Sequence, residues 1–345
     1  MRIVAAHLHP YTLPLKRPWV AARAVLHERR GMLLALTGAD GITGWGDCAS
    51  LPSAGNAAQI LAALTALAQA LPGVEHDAAL ALDVSFPEVR WALETALFDL
   101  AARRRGVPLA VHLGAQNFTG NVKVNAALGA LDGHTAQRAV AALAQGYASA
   151  KIKVGVGSID DELVLLHEIH SATAGRLRLR LDANRAWGES EAQCFLNAIA
   201  SLPIDAVEEP LAQPTLPQLH ALQQALPYAI AVDESLPQFG SVALLAAGAV
   251  RRLVLKPARI GGIIASCELA AQAQAAGMEV VLTSVVDSAV GVAAAAHLAA
   301  AVAPDLAHGL ATLDWLAADV APAPLLRDGR LWLGAAPGLG FSPTP

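Results

Sequence analysis

The sequence predicts an α/β fold in which a (β/α)7β-type TIM barrel follows a smaller N-terminal α+β capping domain. Two observations lead to this prediction. From about residue 120, short strand-like runs alternate with helical segments rich in alanine and leucine, which is the pattern of a parallel barrel. Charged residues also recur at the ends of successive strand-like runs, 23 to 29 residues apart, a spacing of one strand–helix unit.

The N-terminal part, residues 1–115, has a different order of elements. The runs "IVAAHLHPYTLPL" and "GMLLALTGADGITGWGDC" are strand-like, and the helical segments "NAAQILAALTALAQAL" and "PEVRWALETALFDLAARRRG" follow them. Strands first and helices second are typical of an α+β domain. We therefore expect a capping domain over 1–115, and we expect the C-terminal tail, 325–345, to return to it.

The catalytic barrel is expected over residues 116–324. Its eight strand candidates are, in chain order, "VKVNAALGA", "ASAKIKVG", "LRLRLDAN", "DAVEEP", "YAIAVDES", "RRLVLKP", "MEVVLTSVVD" and "AHGLAT". In a parallel barrel the C-terminal strand ends form one face, and functional residues lie there. An open doubly wound sheet is the alternative, but it usually carries a glycine-rich phosphate loop after its first strand, and "NAALGALDG" matches such a loop poorly.

Composition argues against some classes of function. The 345 residues carry a net charge of −5 without a basic stripe, which argues against binding to nucleic acid. No apolar run reaches membrane-spanning length uninterrupted, and the N-terminus lacks the apolar core of a signal peptide. The three cysteines are scattered and lack metal-binding spacing, so we expect a cytoplasmic protein. The composition leaves the oligomeric state open.

Five charged residues mark the ends of consecutive barrel strands. In chain order they are Lys153, Asp182, Glu208, Asp233 and Lys256. A lone acid at such a position usually caps a helix and a lone lysine usually stays in solvent, but five in register indicate one site. Three carboxylates from neighbouring strands provide the hard oxygen ligands that Mg²⁺ prefers, with Mn²⁺ as the alternative cation.

The run "KIKVG" places a second lysine beside the first of these charges. Residues i and i+2 of a strand face the same side, so Lys151 and Lys153 point the same way. Lysine is scarce in this chain, with five residues against nineteen arginines. Two scarce lysines on one side of a strand indicate a functional role rather than surface charge.

These motifs resemble those of the enolase superfamily. "KIKVG", "LRLDANRAW", "EEP", "DES" and "LKP" match its muconate-lactonizing subgroup in order and spacing. "GWGDCASLP" resembles a turn of the capping domain in that subgroup, with Asp47 where glutamate is usual. "TSVVDSAVGVAAAAHLAAA" and "HGLATLDWLAADV" are most similar to the last two barrel strands of o-succinylbenzoate synthases, which act in menaquinone biosynthesis.

The resemblance implies a role for each charged residue. The Mg²⁺ ligands would be Asp182, Glu208 and Asp233. Lys153 would be the acid/base, and Lys256 would act from the opposite face of the substrate.

An ordinary lysine, with a pKa of about 10.4, is a poor base at neutral pH. We therefore expect the charges of Lys151, Lys256 and the metal to lower the pKa of Lys153 towards the working range.

The resemblance also implies a set of residues that contact the small-molecule carboxylate substrate. These are Lys151, Asn184, Arg185, Ser284 and Arg23. Arg23 lies in the segment "LKRPWVAARAVLHERRG", which would close over the site. Arg17, Trp19 or Arg23 would then reach the distal part of the substrate.

Within the superfamily, the residues favour a dehydratase. Mandelate-racemase-like members use a histidine base near the seventh strand, and "LTSVVDS" has none. Dipeptide epimerases tend to carry Asp-x-Asp after the eighth strand, where this chain has "LATLDWL" with a single aspartate. The expected activity is therefore that of the synthase, and an N-acylamino acid racemase, a cycloisomerase and a dipeptide epimerase are the alternatives. A non-catalytic barrel that only binds ligands is the alternative from another class.

Overall fold

The computed structural model describes residues 1–21, 24–50 and 55–344. Its first strands are β1 (Ile3–Ala21), β2 (Ala24–Gly38) and β3 (Thr43–Cys48). They form an antiparallel sheet in the order β1-β2-β3. The strands precede the helices in this part of the chain, as the sequence predicts.

Four helices follow this sheet. They are α1 (Ala57–Ala70), α2 (His76–Leu80), α3 (Pro87–Arg104) and α4 (Leu109–His112). Helix α3 lies directly against β3, because Gly44 and Gly46 leave room for its backbone. A Cβ atom at either glycine would overlap the carbonyl of Ala96 or Ala92. The two glycines of "TGWG" are therefore required by the close approach of a helix.

A parallel sheet of seven strands follows the short strand β4 (Asn121–Lys123). Its strands, side by side in chain order, are β5 (Ala126–Ala130), β6 (Ser149–Lys153), β7 (Arg178–Asp182), β8 (Ile204–Glu208), β9 (Ala229–Val232), β10 (Arg252–Leu255) and β11 (Glu279–Leu282). Two single bridges close the ring, since Val124 pairs with His308 and Thr283 pairs with Gly309. The predicted barrel is confirmed, and its eighth strand consists of these two bridges.

Helices connect the barrel strands. They are α5 (Thr135–Ala144), α6 (Ile159–Ala172), α7 (Glu189–Ala198), α8 (Leu216–Ala225), α9 (Leu236–Phe239), α10 (Ser241–Ala247), α11 (Pro257–Ile260), α12 (Ile263–Ala275) and α13 (Ala289–Val302). Aliphatic side chains such as Leu181 and Leu282 are fully buried in the core. Strands with continuous apolar runs suit a parallel sheet that helices cover. In the described ranges, no helix is both long enough and apolar enough to cross a membrane.

The C-terminal tail contacts both parts of the chain. Strands β12 (Leu325–Arg327) and β13 (Arg330–Trp332) form a hairpin, and β13 pairs with β4. Further along, the Gly338 carbonyl accepts a hydrogen bond from the Leu109 N–H at 2.8 Å. The tail thus links the start of the barrel to α4.

A buried ion network occupies the barrel near the N-terminal ends of its strands. Asp205 accepts hydrogen bonds of 2.7 Å from Arg180 Nη2 and from Arg252 Nη1. Burial alone would raise the pKa of Asp205, but the hydrogen bonds and charges of the two arginines outweigh it and hold the pKa below its usual range. These ion pairs lie away from the strand ends that carry the five charges.

Candidate active site

The ends of neighbouring strands bring the five predicted charges together. Lys153, Asp182 and Glu208 are the last residues of β6, β7 and β8, and they are neighbours in the sheet register. Asp233 follows β9 directly, and Lys256 follows β10 directly. All five therefore lie at one end of the barrel, as the sequence predicts.

Lys151 lies between two of the carboxylates. Its Nζ is 2.8 Å from Asp182 Oδ2 and 2.7 Å from Glu208 Oε2. Burial would lower the pKa of Lys151, but the charges of Asp182 and Glu208 outweigh it and raise the pKa above its usual value. Asp182, Glu208 and Asp233 form an acidic cluster, and Lys151 is its protonated counter-ion, with its ammonium group already paired.

Lys153 has the opposite electrostatic balance. Its pKa is lowered, first by burial and further by the charges of Lys151 and Lys256, while Asp182 opposes the shift. The direction matches the sequence-based expectation for a general base. The main cause differs, since burial contributes more than the neighbouring lysines do.

Lys256 approaches from the strand beside Asp233. Its Nζ donates a hydrogen bond to Asp233 Oδ2. Burial would lower the pKa of Lys256, but the charges of Asp233 and Glu208 raise it. The two lysines named for catalysis therefore differ, since the pKa of Lys153 is lowered and the pKa of Lys256 is raised.

Glu208 is a buried carboxylate with one oxygen unpaired in the part of the chain that the structure describes. It is 1% exposed, and its Oε1 is buried without a hydrogen-bond partner among the described residues. Burial raises the pKa of Glu208 to about 8. The charge of Lys151 opposes this shift, whereas the charges of Asp182 and Asp233 add to it. An orphaned oxygen beside two further carboxylates fits a divalent cation, which would supply the missing partner.

Two lysines pair with the carboxylates of the acidic cluster. No three described Asp, Glu, His or Cys side chains already converge in a metal-binding group. The ammonium groups of Lys151 and Lys256 instead pair with the carboxylate oxygens. The chemistry of the donor set nevertheless suits Mg²⁺ or Mn²⁺, because three carboxylates provide hard oxygens.

Two of the expected substrate contacts, Asn184 and Arg185, follow β7. The backbone N–H of Asn184 donates to Asp182 Oδ1 at 3.1 Å. The Arg185 guanidinium donates to the Ala212 carbonyl at 2.8 Å, in the connection before α8. Asn184 therefore belongs to the turn that carries a carboxylate of the cluster, whereas the guanidinium of Arg185 is bonded to a neighbouring loop.

Ser284 follows β11, and its Oγ lies 2.7 Å from the hydroxyl of Thr312. Just after Thr312, the ring of Trp315 meets the ring of Trp19 in β1 edge to face, with centroids 4.6 Å apart. Arg23 and the side chain of Arg17 lie outside the described residues.

Sequence reasoning missed two of these residues, Thr312 and Trp315. Both lie in the segment "LATLDWL", which the sequence already marks as the stretch that bears on substrate choice after the eighth strand. Their partners belong to other elements, Ser284 after β11 and Trp19 in β1. The segment was therefore visible in the sequence, and its contacts were not.

Comparison with known proteins agrees with this arrangement. Residues 4–114 match the family "Mandelate racemase / muconate lactonizing enzyme, N-terminal domain", and residues 134–345 match "Enolase C-terminal domain-like". An o-succinylbenzoate synthase of Desulfotalea psychrophila is 32% identical over 257 residues, 72% of this chain and 68% of that protein. An L-Ala-D/L-Glu epimerase of Bacillus subtilis is 28% identical over 315 residues, 87% of this chain and 85% of that protein.

A solved structure is similar over almost the whole chain. A dipeptide epimerase from Enterococcus faecalis, complexed with Mg and the dipeptide L-Leu-L-Tyr, has a TM-score of 0.86 and 26% identity, and the match covers 99% of each chain. Since both the N-terminal and the barrel regions match their family descriptions, this protein is an enzyme that belongs to the enolase superfamily.

Proposed function

We propose that this enzyme is a dehydratase of the o-succinylbenzoate synthase type, a carbon–oxygen lyase of menaquinone biosynthesis. Its substrate would be a cyclohexadiene carboxylate that bears a hydroxyl and a succinyl group. The reaction removes the proton α to the carboxylate and then the hydroxyl as water, which leaves an aromatic ring.

Lys153 is the base in this proposal. Its neutral amine takes the α proton, and the ammonium so formed returns a proton to the departing hydroxyl. One base on one face of the ring is enough for both transfers. The lowered pKa of Lys153 supports this role, because a base must be neutral before it accepts a proton.

The remaining charged residues stabilise the negative charge that develops on the substrate carboxylate. Asp182, Glu208 and Asp233 would hold Mg²⁺ or Mn²⁺, which when bound supplies positive charge beside that carboxylate. Lys256 keeps its charge and faces the opposite side of the ring, where it contributes through cation–π attraction.

The observation that supports the synthase over a dipeptide epimerase is the hydroxyl pair of Ser284 and Thr312. In dipeptide epimerases the segment after the eighth strand tends to carry two aspartates, which suit an ammonium group. Here Thr312 is neutral, and Asp314, the carboxylate of "LATLDWL", is exposed to solvent. Neutral hydroxyls at this position suit a substrate that lacks a free ammonium group.

An N-acylamino acid racemase is the second candidate. It is favoured by the presence of lysines on two different strands, Lys153 on β6 and Lys256 after β10, because racemisation needs acid/base groups on both faces. Its substrate also lacks a free ammonium group, so the hydroxyl pair does not separate the two reactions.

A direct assay separates them. With Mg²⁺, the purified protein is expected to convert the cyclohexadiene substrate to o-succinylbenzoate, followed by its ultraviolet absorbance. N-succinylamino acids and L-Ala-L-Glu are tested in parallel by polarimetry. If the protein racemises N-succinylamino acids efficiently and leaves the cyclohexadiene unchanged, the racemase replaces the synthase. Turnover of none of these carboxylates would favour a binding protein.

A further inference from the structure

Glu209, the second glutamate of "EEP", is buried next to Glu208 but faces a different set of partners. It is 2% exposed, and its φ of +48° lies in the left-handed region that residues other than glycine seldom adopt. Such a conformation persists only where the surroundings hold it in place. The bonds of the Glu209 side chain and backbone show what holds it.

The carboxylate of Glu209 binds the turn that carries Asp233. Its Oε1 accepts hydrogen bonds of 2.8 Å from the backbone N–H groups of Asp233 and Ser235. Its Oε2 accepts a hydrogen bond of 2.6 Å from Ser235 Oγ. Ser235 is fully buried, so this hydroxyl is shielded from water. Three donors from one turn therefore converge on a single buried carboxylate.

The backbone of the same "EE" pair binds the turn on the other side. The Glu209 carbonyl accepts a hydrogen bond from the Arg185 N–H at 2.7 Å, and the Glu208 carbonyl accepts one from the Ala183 N–H at 3.0 Å. Both donors belong to the turn that follows Asp182. Glu209 thereby connects the strand-end turns of β7, β8 and β9, each of which carries one carboxylate of the acidic cluster.

We propose that Glu209 and Ser235 form a positioning pair that sets the relative placement of Asp182, Glu208 and Asp233 for a divalent cation. Glu209 is not itself a ligand, because both of its oxygens are engaged by the turn after β9. The inference rests on the proposed metal site. It adds that the affinity of the site depends on a fourth, non-ligating carboxylate.

The pair is needed because the ligands come from separate strands. A cation requires its oxygens at defined distances, and nothing in a strand itself fixes the turn that follows it. Partners that orient metal ligands typically contribute about 10- to 100-fold in metal affinity. Charge-assisted bonds to backbone N–H groups are well suited to this task, since they are short and directional.

Calorimetric titration of the purified full-length protein with MgCl₂ and with MnCl₂ tests the inference. Glu209→Ala removes all three bonds and is expected to weaken cation binding about 10- to 100-fold. Glu209→Gln keeps an oxygen for the two N–H groups and offers an amide N–H to Ser235 Oγ. Its cation affinity is therefore expected to stay within about threefold of wild type. This is less than a tenfold change, which equals about 1.4 kcal/mol. Ser235→Ala removes one bond and should fall between them.

Asp99→Ala is the matched control. Asp99 is also a buried carboxylate that accepts backbone N–H bonds, from Trp45 and Leu339, but it lies in α3, away from the strand ends. Its loss should lower the melting temperature and leave cation affinity unchanged. Glu209→Ala must change affinity as well as stability, which a purely structural role would not do.

Three results would overturn the inference. Unchanged affinity in folded Glu209→Ala would show that the turns place the ligands without it. Equal loss in Glu209→Gln and Glu209→Ala would show that the charge of Glu209 acts, and not its hydrogen-bond geometry. Failure of the wild-type protein to bind either cation would overturn the proposed metal site together with this inference.

Discussion

Asp47 accepts a hydrogen bond of 2.8 Å from Ser288 Oγ, and this contact joins strand β3 to the start of helix α13, 241 residues away in sequence. The same oxygen accepts the Ser288 N–H at 3.2 Å, and the other oxygen accepts Tyr11 Oη–H at 2.6 Å. A carboxylate at a helix N-terminus binds unpaired N–H groups and interacts well with the helix dipole. Here that carboxylate comes from another element of the fold.

Asp47→Ala should therefore destabilise the protein. It leaves the buried Ser288 donors and the half-buried Tyr11 hydroxyl without their acceptor, at a cost of about 1 to 3 kcal/mol for each buried unsatisfied group. Ser288→Ala removes one bond and should cost about 1 kcal/mol. Urea denaturation measures both values. Equal stability of wild type and Asp47→Ala would mean that this contact does not hold α13 to the sheet.

The acidic cluster should lose its cation when any one ligand is neutralised. Asp182→Asn, Glu208→Gln and Asp233→Asn each remove a ligand charge, so we expect weaker Mg²⁺ binding and the loss of nearly all activity. The melting temperature of the metal-free protein should not fall to the same extent in Glu208→Gln, because Oε1 of Glu208 has no hydrogen bond to a described residue that the change could break. Normal turnover by any of the three variants would exclude that residue as a ligand.

Lys153 and Lys151 should respond differently to substitution. Lys153→Ala should lower kcat by about 10²- to 10⁴-fold, the usual contribution of a general base. Lys151→Ala removes a positive charge that lowers the pKa of Lys153, and it frees the charge of Asp182, which raises that pKa. The pKa of Lys153 should rise, and the limb of the pH–rate profile on which the rate increases should move to higher pH. An active Lys151→Ala enzyme with an unshifted profile would contradict this coupling.

Lys256→Arg separates dehydration from racemisation. Arginine keeps the positive charge but does not become neutral near pH 7, so it cannot act as a base. We expect the variant to retain part of the dehydratase activity and to lose any racemisation of N-succinylamino acids. Both rates are measured on one preparation. Racemisation that persists in Lys256→Arg would show that Lys256 is not the second acid/base.

Asp205→Asn should destabilise the barrel without touching the acidic cluster. The change leaves Arg180 and Arg252 buried without their shared counter-ion, which typically costs about 3 to 5 kcal/mol. Glu279→Gln is the control, because Glu279 is a half-exposed partner of Arg252 and its loss should cost less than about 1 kcal/mol. Chemical denaturation at pH 7 measures both. If Asp205→Asn loses no more unfolding free energy than Glu279→Gln, Asp205 does not stabilise the barrel as a shared counter-ion.

The pH dependence of stability follows from the same residue. In the folded protein the pKa of Asp205 is held below its unfolded value of about 3.9. The stability that ionised Asp205 contributes is therefore present above about pH 3.9, and it is lost as the pH falls through the pKa of the folded state. Wild-type stability should therefore decrease more steeply than that of Asp205→Asn below about pH 4. If the stabilities of the two proteins fall equally with pH, folding does not change the pKa of Asp205.

The sequence by itself determined the barrel and the place of its charged residues. Strand-like runs and helical runs have different periods, and their alternation requires parallel strands with their C-terminal ends on one face. A residue at the end of each strand must then lie near the ends of its neighbours. Lys153, Asp182 and Glu208 could be brought together on that basis alone, and the structure places them side by side.

The tertiary structure decided which side chains became partners. The contact of Lys151 with the substrate stays a prediction, and the structure places its ammonium group between Asp182 and Glu208, because three neighbouring strands direct these side chains towards the same space. The bonds from Asp47 to Ser288 and from Glu209 to Ser235 likewise join elements with no shared pattern in the sequence. Periodicity reports the face on which a residue lies, whereas a hydrogen bond depends on the distance and direction of a group contributed by another part of the chain.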